Sequence, residues 1–343
     1  MRIALIAPLE MRVPPVAYGG TELVVSLLTE ELVRLGHDVT LFASGDSETT
    51  AKLVPGSPRF LRGSGRHSSI LTTLNVLSCV DQADHFDIIH NHTFNEGMAF
   101  AGFIDTPMLT TLHGAPHQDE ALMFEYYKGW YNTISKSSKA LLPPQDRFAG
   151  VVYNSIDVES YPFTPECRED YLVFLSRISV EKGPHLAIEV AKRLGRRLII
   201  AGNVNAPDMP YFEQYIRPEI DDDLITFVGE VDYAQKRQLL SRAHCLLAPI
   251  TWEEPFGLFM IEAMACGVPV IALRRGAAPE LVRHGVTGFV VDDVDAMAEA
   301  VSRVQDIDPY ECRRHVAACF SVERMTQGYL DAYQRIIERA NIE

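Results

Sequence analysis

No run in the 343-residue chain approaches about 18 consecutive apolar residues, so no segment reads as a membrane-spanning helix. Basic residues are in deficit: 31 Lys and Arg stand against 46 Asp and Glu, a formal net charge of −15. That argues against the broad basic footprint nucleic acid requires, though not against a small anion held by local Arg, Lys or a helix N-terminus. Six cysteines are scattered without a C-x-x-C pair, which speaks against a disulfide scaffold and for a reducing, cytoplasmic setting. The G-x-S-x-G elbow, the Walker loop and H-E-x-x-H are also missing, and with them the local signatures of common hydrolases and nucleotidases. The opening MRIALIAPLEM is interrupted by Pro8 and Glu10 where a signal peptide needs its apolar core, and reads instead as a strand. Asn91-His92-Thr93 fits the glycosylation sequon but carries no weight without an export signal.

What is present is a 47% hydrophobic chain of two-domain length. Apolar strands alternate with helical patterns. Arg2 to Ala7 reads as a strand, Thr21 to Leu35 as an amphipathic helix closed by Gly36, and Val39 to Ala43 as the next strand. Strands at Asp87 to His90, Met108 to Leu112, Tyr131 to Ile134 and Val151 to Tyr153 continue this series. After the proline-rich junction Tyr161 to Pro165, a second series has strands at Tyr171 to Leu175, Arg197 to Ala201, Ile225 to Val228, Cys245 to Ala248 and Val268 to Ala272. Its helices read as Pro184 to Leu194, Tyr233 to Ser241 and Leu258 to Ala265. The expected class is α/β: two Rossmann-like domains, 1–160 and 166–321, facing across a ligand cleft, followed by a helix over 322–343 packing across their junction.

Three groups invite chemistry. Gly19-Gly20, with Glu22, lies between the first strand and first helix, where backbone N–H groups approach an anion or simply make a tight turn. Arg177 and Lys182 flank a strand-to-helix turn, either as a diphosphate clamp or as two solvated charges. The strongest is Thr251 to Pro269, where Phe256-Gly257 opens an apolar helix after Glu254. Glu262 sits among Leu258, Ile261, Ala263 and Met264, which demands a partner: ribose hydroxyls, a backbone cap, or an arginine. Five histidines (85, 90, 92, 113 and 117) crowd the first half, but Gly114 and Pro116 keep His113 and His117 off a shared helical face, so no metal site is expected. His113, following a strand, reads instead as facing the substrate. Lys52, Arg59, Arg62, Arg66 and His67 lie in a Gly/Ser/Pro-rich stretch, read as a solvated loop or as a contact for an anionic acceptor or membrane surface.

Glu254-Pro-Phe-Gly-Leu-Phe-Met-Ile-Glu262, with Gly276-Ala-Ala-Pro-Glu280 and His284-Gly-Val-Thr-Gly-Phe289, resembles family 4 of the retaining glycosyltransferases, which have the two-domain GT-B fold. The resemblance implies transfer from a nucleotide diphosphate sugar, a UDP-sugar first, to a hydroxyl acceptor that is a small molecule, lipid-linked or a polysaccharide precursor. It implies no metal and no further cofactor. Gly19 and Gly20 would approach the donor diphosphate, Arg177 and Lys182 neutralise it, and Glu262 bind the ribose. Glu254, with the backbone of Phe256, Gly257, Leu258 and Phe259, would hold the transferred sugar and adjoining phosphate. His113 would lie near the sugar's hydroxymethyl end, Gly229 and Val231 along the base, and Asn154 in a supporting turn. Ser155, where the family often has glycine, and Ala277-Ala278, where a second glycine is usual, depart from the pattern. A nucleotide-sugar epimerase, a sugar phosphorylase or a non-catalytic binding module are the competing readings.

Overall fold

The computed structural model describes residues 1–17, 19–114, 122–142 and 146–342. They form two compact units: Met1–Ser155 with Val322–Glu343, and Ile156–Ser321. The first unit holds a seven-stranded parallel sheet of β1 (Arg2–Ile6), β2 (Asp38–Ser44), β3 (Lys52–Ser57), β4 (Ile88–Asn91), β5 (Met108–Leu112), β6 (Trp130–Thr133) and β7 (Phe148–Val151), in the order β3-β2-β1-β4-β5-β6-β7. The second holds a six-stranded parallel sheet of β8 (Tyr171–Leu175), β9 (Arg197–Ala201), β10 (Ile225–Gly229), β11 (Cys245–Ala248), β12 (Val270–Leu273) and β13 (Gly288–Val291), in the order β10-β9-β8-β11-β12-β13. Each sheet therefore reverses its winding once, between β1 and β4 and between β8 and β11. Ligands of open α/β sheets collect at such reversals, beyond the carboxyl ends of the strands.

The strands read as continuous apolar runs because helices cover both faces, leaving β5, β8, β11, β12 and β13 buried throughout. The helices bury one stripe. Val24, Val25, Leu28 and Leu32 turn inward from the helix Gly20–Arg34, and Ala187, Ile188, Val190 and Ala191 from Pro184–Leu194. The helix Val322–Ala340 buries Met325, Tyr329, Tyr333 and Ile336 and packs within the first unit, on the helix Gly20–Arg34 and β7. The chain enters and leaves the second unit side by side, where Ile156 pairs with Ser321 and its N–H donates to Phe320 O at 3.1 Å.

The basic stretch from Lys52 is in its first half not a loop. Lys52–Ser57 is an edge strand on β2, and Pro55 is tolerated there because an edge strand has one side free of ladder bonds. Leu61 and Arg62 then tie back to Leu9 and Glu10 through backbone bonds of 2.8 and 3.0 Å. The helix Ser68–Val80 and β13 are elements that the sequence pattern did not announce, since β13 is a four-residue run begun by a glycine. Strand β7 begins three residues before the expected Val151, and β12 two residues after the expected Val268.

Candidate functional site

In the second unit, the loops after β8 and β11 meet at the sheet's reversal. Thr251 N donates to Glu181 O at 2.9 Å and joins them. Lys182 Nζ forms an ion pair with Glu254 Oε2, the two side chains only 12% and 10% exposed. The same oxygen accepts from Trp252 Nε1 at 3.0 Å, and the Lys182 ammonium lies 5.0 Å from the centre of the Trp252 ring. Arg177 stands on the neighbouring turn, paired with Glu181 and 4.0 Å from Asp208. Both expected cations are thus half-buried or better and already engaged, rather than free surface charges.

Glu254 is held from behind by its backbone. Ala277 N donates to Glu254 O at 2.9 Å, and Gly276 N to Glu253 Oε2 at 2.8 Å. A Cβ on Gly276 would come within 2.3 Å of Glu254 N and O, so this close approach admits only glycine. The family-typical second glycine is replaced by Ala277, which is buried without strain at φ −76°.

Gly257, at φ 90°, opens the helix Leu258–Ala265 without a side-chain cap. Phe256 is buried beneath this turn, while Leu258 and Phe259 stay partly exposed on it. Gly183 and Gly19 begin the helices Pro184–Leu194 and Gly20–Arg34 in the same uncapped way. By contrast, Asp232, Asp293 and Asp308 side chains cap helices elsewhere in the second unit. The helix Leu258–Ala265 thus keeps the N–H groups of Leu258 and Phe259 and the positive end of its dipole for an anion, whereas Pro184 has no N–H to offer and Leu186 and Ala187 N donate to Gly183 O at 3.0 and 3.3 Å.

Glu262, one turn on, is almost fully buried and finds two donors: Lys236 Nζ at 2.6 Å and Tyr161 Oη at 2.8 Å. Its partner is a lysine, not the arginine the sequence suggested as one option. Lys236 belongs to the helix Tyr233–Arg242, which begins just after Gly229 and Val231 at the end of β10.

In the first unit, Gly19-Gly20 follows β1 and His92 and His113 follow β4 and β5. His92 Nδ1 lies 2.8 Å from His113 Nε2. The His92 ring is 3.9 Å from that of His90, which bonds Tyr333 Oη and Thr111 Oγ1 at 2.6 Å each. Burial drives the His90 and His92 imidazoles well below their ordinary range and His113 to about 4, so all three are neutral at pH 7. Asn154, the supporting candidate, is buried, and its Oδ1 has no hydrogen-bond partner among the described residues.

Two family profiles cover most of the chain: "Glycosyltransferase Family 4" over residues 18–160 and "Glycosyl transferases group 1" over 169–306. Glycogen synthase of Mycobacterium tuberculosis is 26% identical over 96% of this chain and 91% of its own. Two solved structures share the fold: sucrose-phosphate synthase of Thermosynechococcus elongatus (TM-score 0.81, 19% identity, 99% and 100% of the two chains) and Anabaena HepE in complex with UDP and glucose (TM-score 0.76, 21%, 98% and 100%). The chain belongs to the family 4 glycosyltransferases. Its fold is GT-B.

In this glycosyltransferase the histidine crowd divides. His90, His92 and His113 come together, His85 is exposed on a short turn before β4, and His117 falls outside the described residues, as do Tyr18 and Pro116. Among the described residues no group of three His, Cys, Asp or Glu is placed to hold a metal ion. No described helix is long and apolar enough to cross a membrane. The Asn91 sequon is fully buried, its amide bonded to Phe94 O and Thr110 Oγ1, and so cannot receive a glycan. Lys236, Tyr161, Trp252 and His92 escaped the sequence reading as site residues. Only the spacing of His90 and His92 at a strand end offered a local signal.

Glu22 of the transferase is buried in the first turn after Gly19-Gly20, and burial raises its carboxyl from 4.5 to about 7. The folded state therefore holds this proton more tightly than the unfolded chain. The group's contribution to stability is fully present below pH 4.5 and is lost as pH rises through 7. Glu22→Gln is expected to stabilise the protein by about 2–3 kcal/mol at pH 8 and by little at pH 4.5. Urea unfolding at the two pH values tests this, and an equal effect at both would refute the protonation.

Proposed function

We propose that this glycosyltransferase moves a hexosyl group from a nucleoside diphosphate sugar to a hydroxyl acceptor, with retention at the anomeric carbon and without a metal ion. The observation that carries this reading is the buried Lys182–Glu254 pair beside the uncapped helix start at Gly257, at the reversal between β8 and β11. It supplies a cation, a carboxylate and free N–H groups within one short stretch of backbone. Arg177, Lys182 and the N–H groups of Leu258 and Phe259 would hold the diphosphate. Glu262 would take the ribose hydroxyls, with Gly229 and Val231 along the base and Glu254 on the transferred sugar. In the first unit, the Gly19-Gly20 turn and His113 are the ligand-facing groups.

The bond between the anomeric carbon and the phosphate oxygen breaks as negative charge gathers on the leaving diphosphate. Preorganised cations and N–H groups stabilise that charge most in the transition state. Neither carboxylate is set up as a glycosidase-type nucleophile, because Glu254 is tied to Lys182 and Trp252 and Glu262 to Lys236 and Tyr161. This favours attack from the face the diphosphate leaves, with a phosphate oxygen taking the acceptor's proton. Family membership supports retention. HepE, a fold neighbour solved with UDP and glucose, supports trying UDP first. The acceptor is proposed only as a hydroxyl on a small molecule, lipid carrier or growing saccharide.

Calorimetry with UDP, GDP, ADP and TDP in EDTA tests the reading. Tight binding of one nucleotide is expected. Binding only after magnesium is added would overturn the metal-free clamp. Glu262→Ala should weaken that nucleotide by about 10- to 100-fold, the worth of hydrogen bonds to a charged group. An unchanged Kd would remove Glu262 from the ribose.

A further inference from the structure

With the Asn132 amide in this orientation, the hydrogen bonds around His90 have one consistent placement of protons. Asn132 Nδ2 donates to Thr133 O at 3.4 Å, which turns its Oδ1 toward Thr111. Thr111 has a single hydroxyl proton and gives it to Asn132 Oδ1 at 2.7 Å. Thr111 Oγ1 must then accept from its other neighbours, His90 Nε2 at 2.6 Å and Tyr329 Oη at 3.2 Å. His90 is neutral, so with its proton on Nε2 its Nδ1 accepts from Tyr333 Oη. Two tyrosines of the last helix and two strand residues thus lock the ring against which His92 stacks.

Among the described residues His92 has one hydrogen-bond partner, His113, and its buried Nε2 has none. A proton on that atom would bury an N–H with no acceptor, the rarer and costlier of the two ways to leave a ring nitrogen unpaired. The proton therefore sits on Nδ1 and points at His113 Nε2, and a neutral His113 must carry its own on Nδ1.

We infer that His92 is a positioning residue, whose Nδ1–H fixes His113 in the Nδ1–H form so that His113 meets its ligand as a donor. That form is the opposite of the one a free imidazole side chain favours in water. The inference rests on the proposed reading in one respect only, that His113 faces the transferred sugar. There an N–H donates to a sugar hydroxyl oxygen, whereas a bare ring nitrogen could only accept that hydroxyl's proton and would reverse the bond.

Two variants test this. His92→Phe keeps the ring's place and removes its N–H, and His92→Leu is a smaller replacement. Nitrogen-15 NMR of histidine-labelled full-length protein at pH 7.5 distinguishes a protonated from a bare ring nitrogen. Wild type is expected to show His113 protonated on Nδ1, and each variant to show it on Nε2. Their melting curves report whether they fold. In folded variants kcat should fall about tenfold, the upper end for one hydrogen bond, with the donor KM within about twofold. A wild-type spectrum with the proton on Nε2 overturns the inference whether or not the variants fold. A variant whose proton moves while kcat stays within twofold overturns the positioning role and leaves the transferase reading standing. If wild type turns over no nucleotide sugar, the donor reading fails and the spectrum still decides the proton.

Discussion

Lys182→Ala is expected to lower kcat by about 10²–10³-fold, the loss seen when one preorganised group facing a developing negative charge is removed. The effect has two origins that separate experimentally. The first is lost neutralisation of the leaving diphosphate. The second is structural: Glu254, only 10% exposed, would keep a buried charge with Trp252 as its only remaining side-chain donor among the described contacts. Removing one partner of a buried pair costs about 3–5 kcal/mol. Adding Glu254→Gln to Lys182→Ala should recover much of that stability, because the charge disappears, and should not recover kcat. Unfolding curves and single-turnover rates on the single and double variants give both quantities. A single variant that keeps its wild-type kcat would remove Lys182 from the transfer step.

Acidification should destabilise the first unit more steeply than the second, where burial also lowers His185, His244 and His315 but less far. In the unfolded chain His90, His92 and His113 take up protons near pH 6.5, while in the fold burial holds all three below that. The unfolded state then binds more protons. Stability present above pH 6.5 is lost as pH falls toward the folded values, about 4 for His113. Each group contributes a slope of about 1.4 kcal/mol per pH unit, so three acting together approach about 4 kcal/mol per unit. Glu22 opposes them between pH 7 and 4.5, which leaves a net slope of about two groups. The two tryptophans make the test direct, since Trp130 lies in the first unit and Trp252 in the second. Trp252→Phe leaves Trp130 as the sole reporter, and its urea midpoint should drop steeply between pH 6.5 and 5. A flat profile would mean the histidines are solvated or paired with charge.

Much of the architecture is written locally. Tyr171–Leu175, Arg197–Ala201, Cys245–Ala248 and the helices Pro184–Leu194 and Leu258–Ala265 lie where periodicity and punctuation put them, because a strand buried on both faces or a one-sided helix is encoded by its own residues. Gly257 and the acidic residue before it were legible for the same reason: a helix start after a strand is a short-range event. Elements that depend on a neighbour were not. Lys52–Ser57 is a strand because β2 offers it an edge, despite Pro55 and Gly56.

The sequence by itself determined an acidic, two-domain α/β chain and the stretches of backbone able to meet an anion, since composition, period and glycine placement act over a few residues. Only the tertiary structure decided the partners. Lys182 meets Glu254 across 72 positions, Tyr161 meets Glu262 across 101, and Tyr333 reaches His90 across 243. Such pairs form because parallel strands bring distant loops to one end of a sheet, and because a buried charge or imidazole must find a partner wherever the fold provides one.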